Sequence, residues 1–270
     1  MTAGTAPDLL ATIVAATRRI VEVRSGAVPA AELERQCGRR PGGEAFERAL
    51  SSSAPPRVIA ECKRRSPSRG ILRPSYDPAA HAQAYEAAGA AAISVLTEPT
   101  FFDGALAHLA AVRAAVSVPI LRKDFIVSEY QLLEAAVHGA DAVLLIVTAL
   151  EDAELVRLLR AADGLGLACL VEIHAADEAR RAVDAGARII GVNSRNLRTL
   201  EIDRRVLDNA AARLPEEACV VAESGIRTRQ DMDHLTALGY DAFLVGERLI
   251  VEPDPGAALQ QLRAAFGVRS

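Results

Sequence analysis

Short apolar runs recur along the chain from residue 58 onward, and a longer amphipathic segment separates each run from the next. The runs are rich in Val, Ile and Leu and show little alternation of apolar and polar positions, which is typical of strands buried on both faces. The segments between them have helical spacing, for example "SEYQLLEAAVHGA" and "TRQDMDHLTALG". The predicted strands are 58–63, 91–97, 119–125, 142–147, 168–173, 189–194, 219–224 and 242–247.

A glycine just past several of the predicted helices supports this division, since glycine favours the left-handed conformation that ends a helix. These glycines are Gly89, Gly139, Gly186 and Gly239. Eight strands, each followed by a helix, predict a fold of the α/β class, a (β/α)8 TIM barrel. An open, doubly wound sheet is the alternative, but no G-x-G-x-x-G follows the first strand and the units repeat evenly.

Residues 1–50 precede the first strand and carry helical patterns, with a break at "GRRPGG". We expect an N-terminal helical extension that packs on the barrel rather than a separate domain. The predicted organisation is therefore a single domain over 1–270, with the extension at 1–50 and the barrel at 58–266.

Charge and composition exclude some classes of function. A net charge of -4 and a pI near 5.8 argue against general binding to nucleic acid or anionic membranes. No run reaches ~18 apolar residues, and the N-terminus lacks a positive region before its apolar segment, so we expect neither a membrane span nor a signal peptide. Four cysteines without metal-type spacing suit reduced thiols in a cytoplasmic protein.

Lysine is rare in this chain: among 31 basic residues only Lys63 and Lys123 are lysines. Lysine can release a proton, whereas arginine effectively cannot. Positions that need proton transfer are therefore where lysine would resist replacement by arginine. Both lysines lie at predicted strand ends.

Ionisable residues gather at the ends of the predicted strands, where barrels of this kind carry their chemistry. Side-chain alternation turns Glu61 and Lys63 to one face and Cys62 to the other. Further strand ends supply Lys123, Glu172, Asn193 and Glu223. For any one of these residues a structural ion-pair network is an equally good interpretation, but their convergence at one end favours a functional site. The glycine-containing turns after the last two strands favour a phosphorylated substrate.

These segments resemble a known family. "IAECKRRSPSRG", "LRKDFIV", "DAVLLIV", "LVEIH", "IGVNSRNLRTLEI", "VAESGI" and "AFLVGE" are closely similar to indole-3-glycerol phosphate synthase, in unbroken order over residues 58–250. The resemblance implies ring closure of 1-(2-carboxyphenylamino)-1-deoxyribulose 5-phosphate, with loss of carbon dioxide and water, in tryptophan biosynthesis. It also implies that neither a metal nor an organic cofactor takes part.

The resemblance implies a role for each matched residue. Lys123 is the expected general acid, Glu172 is expected to act in the dehydration, and Lys63 is expected to hold anionic groups and is a candidate second acid. Glu61, like Lys63, is expected to flank the substrate as a catalytic residue, and Asn193 and Glu223 are expected to bind sugar hydroxyls and the catalytic lysine. The expected phosphate contacts are Arg195, Ser224, Gly225, Gly246 and Glu247, and the expected contacts of the aromatic ring and the adjoining loop are Ser66, Pro67, Phe102, Phe125, Leu144, Leu197 and Leu244.

Some features depart from the family or stay unassigned. Arg248 stands where a small residue is expected, and it is predicted either to point outward or to add charge at the phosphate. Arg64, Arg65 and Arg69 are expected to form a solvated rim that attracts anions. No histidine, including His174, receives a role.

Two alternative functions fit the sequence less well. Phosphoribosylanthranilate isomerase would need a thiol base on the first strand, but Cys62 faces away from the site. A non-catalytic phosphate-binding scaffold is disfavoured because the lysines and glutamates stand at all the expected strand ends. Partners are expected to be limited to a small phosphorylated substrate, without nucleic acid or membrane, in a monomer that associates at most weakly with other tryptophan-pathway enzymes.

Overall fold

The computed structural model describes residues 8–38, 40–51 and 54–264. Eight parallel strands form a closed barrel, in which each strand pairs with its neighbour in sequence and the eighth pairs with the first. This confirms the predicted fold. The strands are β1 (Arg57–Cys62), β2 (Ala92–Leu96), β3 (Ile120–Lys123), β4 (Ala142–Ile146), β5 (Ala168–Ile173), β6 (Ile189–Asn193), β7 (Cys219–Glu223) and β8 (Ala242–Val245).

Several strands end one or two residues before the predicted limit, and at the end of β3 a polar side chain explains the difference. In β3 the prediction reached Phe125, but the strand ends at Lys123. The Asp124 carboxylate accepts hydrogen bonds from the Thr97 hydroxyl at 2.6 Å and from the N–H of Phe125 at 2.8 Å. The chain therefore turns out of the sheet at the point where the cavity begins.

Helices cover the outside of the barrel and end as the glycines predicted. Gly89, Gly139, Gly186 and Gly239 all have φ between 83° and 98°, which a residue with a Cβ adopts only with strain. The helices are α1 (Leu9–Ala27), α2 (Ala30–Gln36), α3 (Gly43–Ser51), α4 (Pro78–Ala87), α5 (Leu106–Ala115), α6 (Glu129–Val137), α7 (Asp152–Leu165), α8 (Ala179–Asp184), α9 (Arg205–Ala211), α10 (Arg229–Ala237), α11 (Glu247–Ile250) and α12 (Pro255–Arg263).

The barrel interior is a packed apolar cluster that α3 closes from below. Phe46 and Leu50 of α3 are fully buried among the inward side chains of the strands. Two hydrogen bonds fix the helix at the N-terminal ends of the strands: Gly42 N–H donates to Asp141 Oδ1 at 2.9 Å, and Gly43 N–H donates to Gly166 O at 3.0 Å. The lower half of the barrel is thus filled, and open space is confined to the upper end.

The N-terminal helix α1 lies at the opposite end, against the loops of the barrel mouth. Leu10 and Ile13 belong to the interior cluster together with side chains of the upper loops. Asp8, which caps α1, pairs with Arg198 of the loop after β6 at 3.1 Å. The division into one domain over 1–270, with an extension at 1–50 and a barrel at 58–266, stays a prediction. Its terminal parts, residues 1–7 and 265–270, lie outside the described residues.

Among the helices of the described residues, none combines the length and the apolar character needed to cross a bilayer.

Candidate active site

A cavity of about 570 Å³ opens at the C-terminal ends of the barrel strands. Every site residue predicted from the sequence lines it. Several other lining residues were not predicted, because apolar and exposed residues of this kind occur throughout the sequence and do not indicate a site. Among them are Leu96, Ile146, Leu200, Ile202 and Arg227.

Lys123 lies at the centre of the cavity, between two buried carboxylates. Its Nζ is 2.9 Å from Oε2 of Glu172 and 3.1 Å from Oε2 of Glu223. Both glutamate side chains are 1% exposed, whereas the lysine retains 15% exposure toward the cavity. The ammonium group is therefore held on one side by carboxylates and open to a ligand on the other.

This arrangement shifts the three pKa values in different directions. Burial opposes the charge on Lys123, but the carboxylates of Glu172, Glu223 and Glu61 raise the pKa of the lysine above its ordinary value. Although burial acts against ionisation of Glu172, the charge of Lys123 and the contact with His174 lower the pKa of this carboxyl. Burial and the repulsion from Glu172 raise the pKa of Glu223 well above its ordinary value. The surroundings thus favour the charged forms of Lys123 and Glu172, whereas they disfavour the charged form of Glu223.

A second pair, Glu61 and Lys63, lines the cavity at the end of β1. The two side chains form an ion pair, as their predicted position on one face requires. Two glycines make room for the carboxylates: a Cβ added at Gly246, just past β8, would overlap Oε1 of Glu61, and one at Gly191 in β6 would overlap Oε1 of Glu223. The barrel interior is thus shaped to admit charged groups at this level.

Lys123 is positioned by a buried ionic network on the outer face of β3. Arg122 is completely buried and donates hydrogen bonds to Asp124 Oδ2 at 2.9 Å, to Glu134 Oε2 at 3.2 Å and to the carbonyl of Gln131 at 2.7 Å. The Gln131 amide in turn binds backbone groups of the loop at Phe125 and Val127. Because alternation turns Arg122 outward and Lys123 inward, the network fixes the end of the strand from behind.

One wall of the cavity is aromatic and apolar. The rings of Phe102 and Phe125 are 6.2 Å apart between centroids and inclined by 37°. Phe102 is held in place by the buried Glu98, whose carboxylate accepts backbone N–H groups of Thr100, Phe101 and Phe102 at 2.7–3.1 Å. The remaining predicted apolar contacts lie on the same cavity: Pro67, Leu144, Leu197 and Leu244.

The end of the cavity formed by β6, β7 and β8 carries cations and a backbone turn. Ser224 and Gly225 both have positive φ, 66° and 72°. Arg195 lies beside them, and its backbone N–H donates to Asn193 Oδ1 at 3.0 Å. Glu247 lies between two guanidinium groups, 2.9 Å from Arg69 and 3.6 Å from Arg195. Adjacent backbone groups and an arginine provide a setting for an anion.

The basic rim has more partners than the sequence indicated. Arg65 is exposed, as expected. Arg64, however, pairs with Asp103 of the loop after β2, and Arg69 pairs with Glu247. Arg248 forms an ion pair with Glu252, one turn further along the chain, while its side chain still borders the cavity.

His174 is the residue near the site that sequence reasoning left without a role. Its Nε2 is 3.1 Å from Oε1 of Glu172. The spacing of two residues from Glu172, which places both on the inner side of the barrel, was the available signal. Cys62 is buried on the outer side of β1, with its Sγ facing Pro78 O at 3.8 Å, so no thiol from β1 faces the cavity.

Comparison with known proteins gives a consistent result. The family model described as indole-3-glycerol phosphate synthase matches residues 10–262. The indole-3-glycerol phosphate synthase of Beutenbergia cavernae is 48% identical over 257 residues, covering 95% of each chain. The protein of the same name from Saccharopolyspora erythraea is 48% identical and covers 96% of each chain.

Solved structures agree on the fold. A 3-hexulose-6-phosphate synthase superposes with a TM-score of 0.60 at 16% identity, covering 77% of this chain and 98% of that one. A thiamine phosphate pyrophosphorylase from Pyrococcus furiosus has a TM-score of 0.59 at 18% identity, covering 77% and 93%. At such low identity these structures support the barrel alone. On the family match and the two full-length relatives, the chain belongs to the indole-3-glycerol phosphate synthase family of decarboxylating, ring-closing carboxy-lyases.

Proposed function

We propose that Lys123 is the general acid for the ring closure that this family performs on 1-(2-carboxyphenylamino)-1-deoxyribulose 5-phosphate. The observation that carries the proposal is the position of its ammonium group, which lies between Glu172 and Glu223 with one side open to the cavity. Those carboxylates keep the lysine protonated, as its raised pKa indicates. A charged donor is thereby available at neutral pH.

The substrate has three parts that match three regions of the cavity. Its phosphate binds at Arg195 and the turn of Ser224 and Gly225, with Gly246 and Glu247 on the other side. Its aromatic ring binds against Phe102 and Phe125. This orientation places the ketone between the two regions, where Lys123 is located.

Ring closure follows from this placement. The ring carbon that bears the carboxylate attacks the ketone carbon, and Lys123 transfers a proton to the ketone oxygen, which becomes a hydroxyl. The attacking ring loses its aromaticity and carries positive charge, which the nearby carboxylate of Glu172 stabilises. Loss of carbon dioxide returns the bonding electrons to the ring. A positioned acid of this kind contributes about 10²–10⁴-fold in rate.

Dehydration completes the reaction. The new hydroxyl leaves as water after protonation, and the neighbouring ring carbon, which is the methylene bound to nitrogen in the substrate, loses a proton as the carbon–carbon double bond of the indole forms. We assign proton removal to Glu172, whose lowered pKa keeps it available as a base. Lys63, paired with Glu61, is the candidate second acid for the departing hydroxyl. Asn193 and Glu223 complete the sugar-binding region.

Decarboxylation is favoured when a carboxylate passes from water into apolar surroundings, where its charge is poorly solvated. The aromatic wall at Phe102 and Phe125 provides such surroundings for the substrate carboxylate. No step in this scheme calls for a metal or an organic cofactor.

An assay with purified protein tests the proposal. Incubation with the carboxyphenylamino ketose phosphate should yield indole-3-glycerol phosphate, followed by the rise in indole fluorescence and identified by mass. The rate should be unchanged by a chelator. Absence of product, or complete loss of activity with the chelator, would contradict the proposed reaction scheme.

We further propose that the chain acts as a monomer in the cytoplasm, with at most weak association with other tryptophan-pathway enzymes and no nucleic-acid partner. The net charge of -4 and the four free cysteines support this proposal. Size-exclusion chromatography with light scattering measures the mass of the purified protein in solution, and the mass of a dimer would contradict the proposal.

A further inference from the structure

Two of the groups around Glu172, Lys123 and His174, contact different oxygens of its carboxylate. Oε2 is 2.9 Å from Nζ of Lys123, while Oε1 is 3.1 Å from Nε2 of His174. A carboxylate with both oxygens engaged has little freedom to rotate about its terminal torsion.

The imidazole of His174 has no competing polar partner among the described residues. Both ring nitrogens are shielded from solvent and make no hydrogen bond of regular geometry. The approach of Nε2 to Glu172 is thus a short ion-pair contact that lacks linear alignment. Because a buried polar group without a partner is costly, the ring's contribution to the fold depends on Glu172.

The backbone of His174 is fixed independently of its ring. The N–H of His174 donates to Oε2 of Glu178 at 2.8 Å, and the other oxygen of Glu178 accepts the Thr148 hydroxyl at 2.8 Å. Glu178 therefore links the end of β5 to the turn after β4. These hydrogen bonds fix the backbone position of His174 without any contribution from a ligand.

His174 is absent from the lining of the cavity, although Glu172 is part of it. The imidazole thus contacts the carboxylate without lining the cavity itself. Charged or titratable groups near Glu172 are Lys123 and Glu223 across the barrel, with Glu61 beyond the lysine. On its own segment, His174 contacts Glu178 through the backbone.

We propose that His174 is a positioning residue for Glu172: it holds Oε1, so that Oε2 is directed toward Lys123 and the reacting atoms. The proposal rests on the role given to Glu172 above. It assigns to His174 no contact with substrate. The imidazole can act in this way either as the neutral tautomer with a proton on Nε2 or in its charged form.

Two substitutions separate this role from simple packing. His174→Phe keeps a flat ring but removes the donor, while His174→Gln supplies an amide N–H near the position of Nε2. We expect His174→Phe to lower kcat by about 10- to 100-fold, as a misplaced catalytic group does, with KM changed less than threefold. His174→Gln should recover most of kcat at neutral pH.

The pH profile gives a second readout. His174 is among the groups that lower the pKa of Glu172, after Lys123. Loss of the imidazole should therefore move the acidic limb of kcat to higher pH in the Phe variant. Wild-type kcat together with an unmoved limb in His174→Phe would overturn the proposal, and so would a Gln variant as impaired as the Phe variant. If the Phe variant fails to fold, His174→Ala serves for the same comparison.

Glu172→Gln distinguishes failure of this proposal from failure of the catalytic scheme. Near wild-type turnover in Glu172→Gln would show that Glu172 has no catalytic role, and the catalytic scheme itself would then fail. Low turnover in Glu172→Gln with normal turnover in His174→Phe would remove only the role of His174. If the imidazole acts through Glu172, adding His174→Phe to Glu172→Gln should change kcat less than twofold, whereas additive losses would contradict the proposal.

Discussion

Glu172 and Glu223 contact the same ammonium group of Lys123, yet their pKa values shift in opposite directions. The charge of Lys123 outweighs burial at Glu172 and lowers its pKa, whereas burial and repulsion from Glu172 raise the pKa of Glu223. The two carboxyl groups are therefore not equivalent, although they contact the same ammonium group. This asymmetry suits the proposed role of Glu172 as a base, because its ionised form is the favoured one.

The asymmetry predicts opposite effects of pH on two matched variants. Glu172 has a lowered pKa in the folded state, so it stabilises the fold above its ordinary pKa of 4.5 and loses this effect as the pH falls below it. Glu223 has a raised pKa, so the wild-type fold loses stability as the pH rises from 4.5 toward that value.

Urea unfolding at pH 4 and pH 7 checks this prediction. The stability deficit of Glu172→Gln, relative to wild type, should be larger at pH 7 than at pH 4. Glu223→Gln should instead improve relative to wild type over the same interval. If both variants change in the same direction between the two pH values, the assignment of charge is wrong.

Replacing Arg122 should destabilise the barrel strongly. Arg122→Leu would leave Asp124 and Glu134 buried without their shared cation, and breaking a buried pair costs about 3–5 kcal/mol of unfolding free energy. Chemical denaturation measures the loss. As a control, Arg188→Leu removes the exposed pairs with Glu47 and Asp163 and should cost about 1 kcal/mol or less. Equal losses in the two variants would refute the importance of the buried network.

Arg195 is expected to matter for binding more than for turnover. Arg195→Leu should raise KM by about 10-fold or more through the lost charged contact to phosphate, with a smaller change in kcat. The neighbouring Arg198 pairs with Asp8 and is absent from the cavity lining, so Arg198→Leu is the matched control. Steady-state kinetics at constant ionic strength measure both. An unchanged KM in Arg195→Leu would place the phosphate elsewhere.

Truncation of Phe102 tests the position of the aromatic ring. Phe102→Ala should weaken binding of the substrate by about 10-fold, since a large apolar contact worth roughly 1.5–3 kcal/mol is lost. Binding of inorganic phosphate as an inhibitor should be unchanged, because phosphate occupies the other end of the cavity. Phe101→Ala, in the same loop but outside the cavity lining, should affect substrate binding less. A parallel loss of phosphate inhibition in Phe102→Ala would contradict the orientation.

The barrel was predictable from the sequence because its strands are continuous apolar runs and its helices end at glycines such as Gly89 and Gly239. The strand ends were less accurate. Asp124, for example, lies within the predicted strand 119–125. Only the structure shows that its carboxylate accepts a hydrogen bond from Thr97 and that the strand has already ended at Lys123. Side-chain hydrogen bonds across distant segments leave no periodic signal in sequence.

Within the site, alternation along strands was enough to place Glu61, Lys63 and Lys123 together. It was not sufficient for contacts that depend on loop conformation. Arg69 is exposed, as the expected solvated rim requires, but the ion pairs of Arg64 with Asp103 and of Arg69 with Glu247, the first residue of α11, were not predicted. His174 had the correct spacing from Glu172, yet nothing in the sequence distinguished it from a histidine that simply begins a loop.

The central claim is that Lys123 transfers a proton to the substrate ketone, and the Lys123→Arg variant tests it most directly. Arginine keeps the positive charge between Glu172 and Glu223 but does not release a proton at the pH of the reaction. The measurement is kcat of the variant, taken together with Kd for an analogue in which the ketone is reduced to an alcohol. The account predicts a loss of about 10²–10⁴-fold in kcat with Kd within a few-fold of wild type. A kcat close to that of wild type would contradict it.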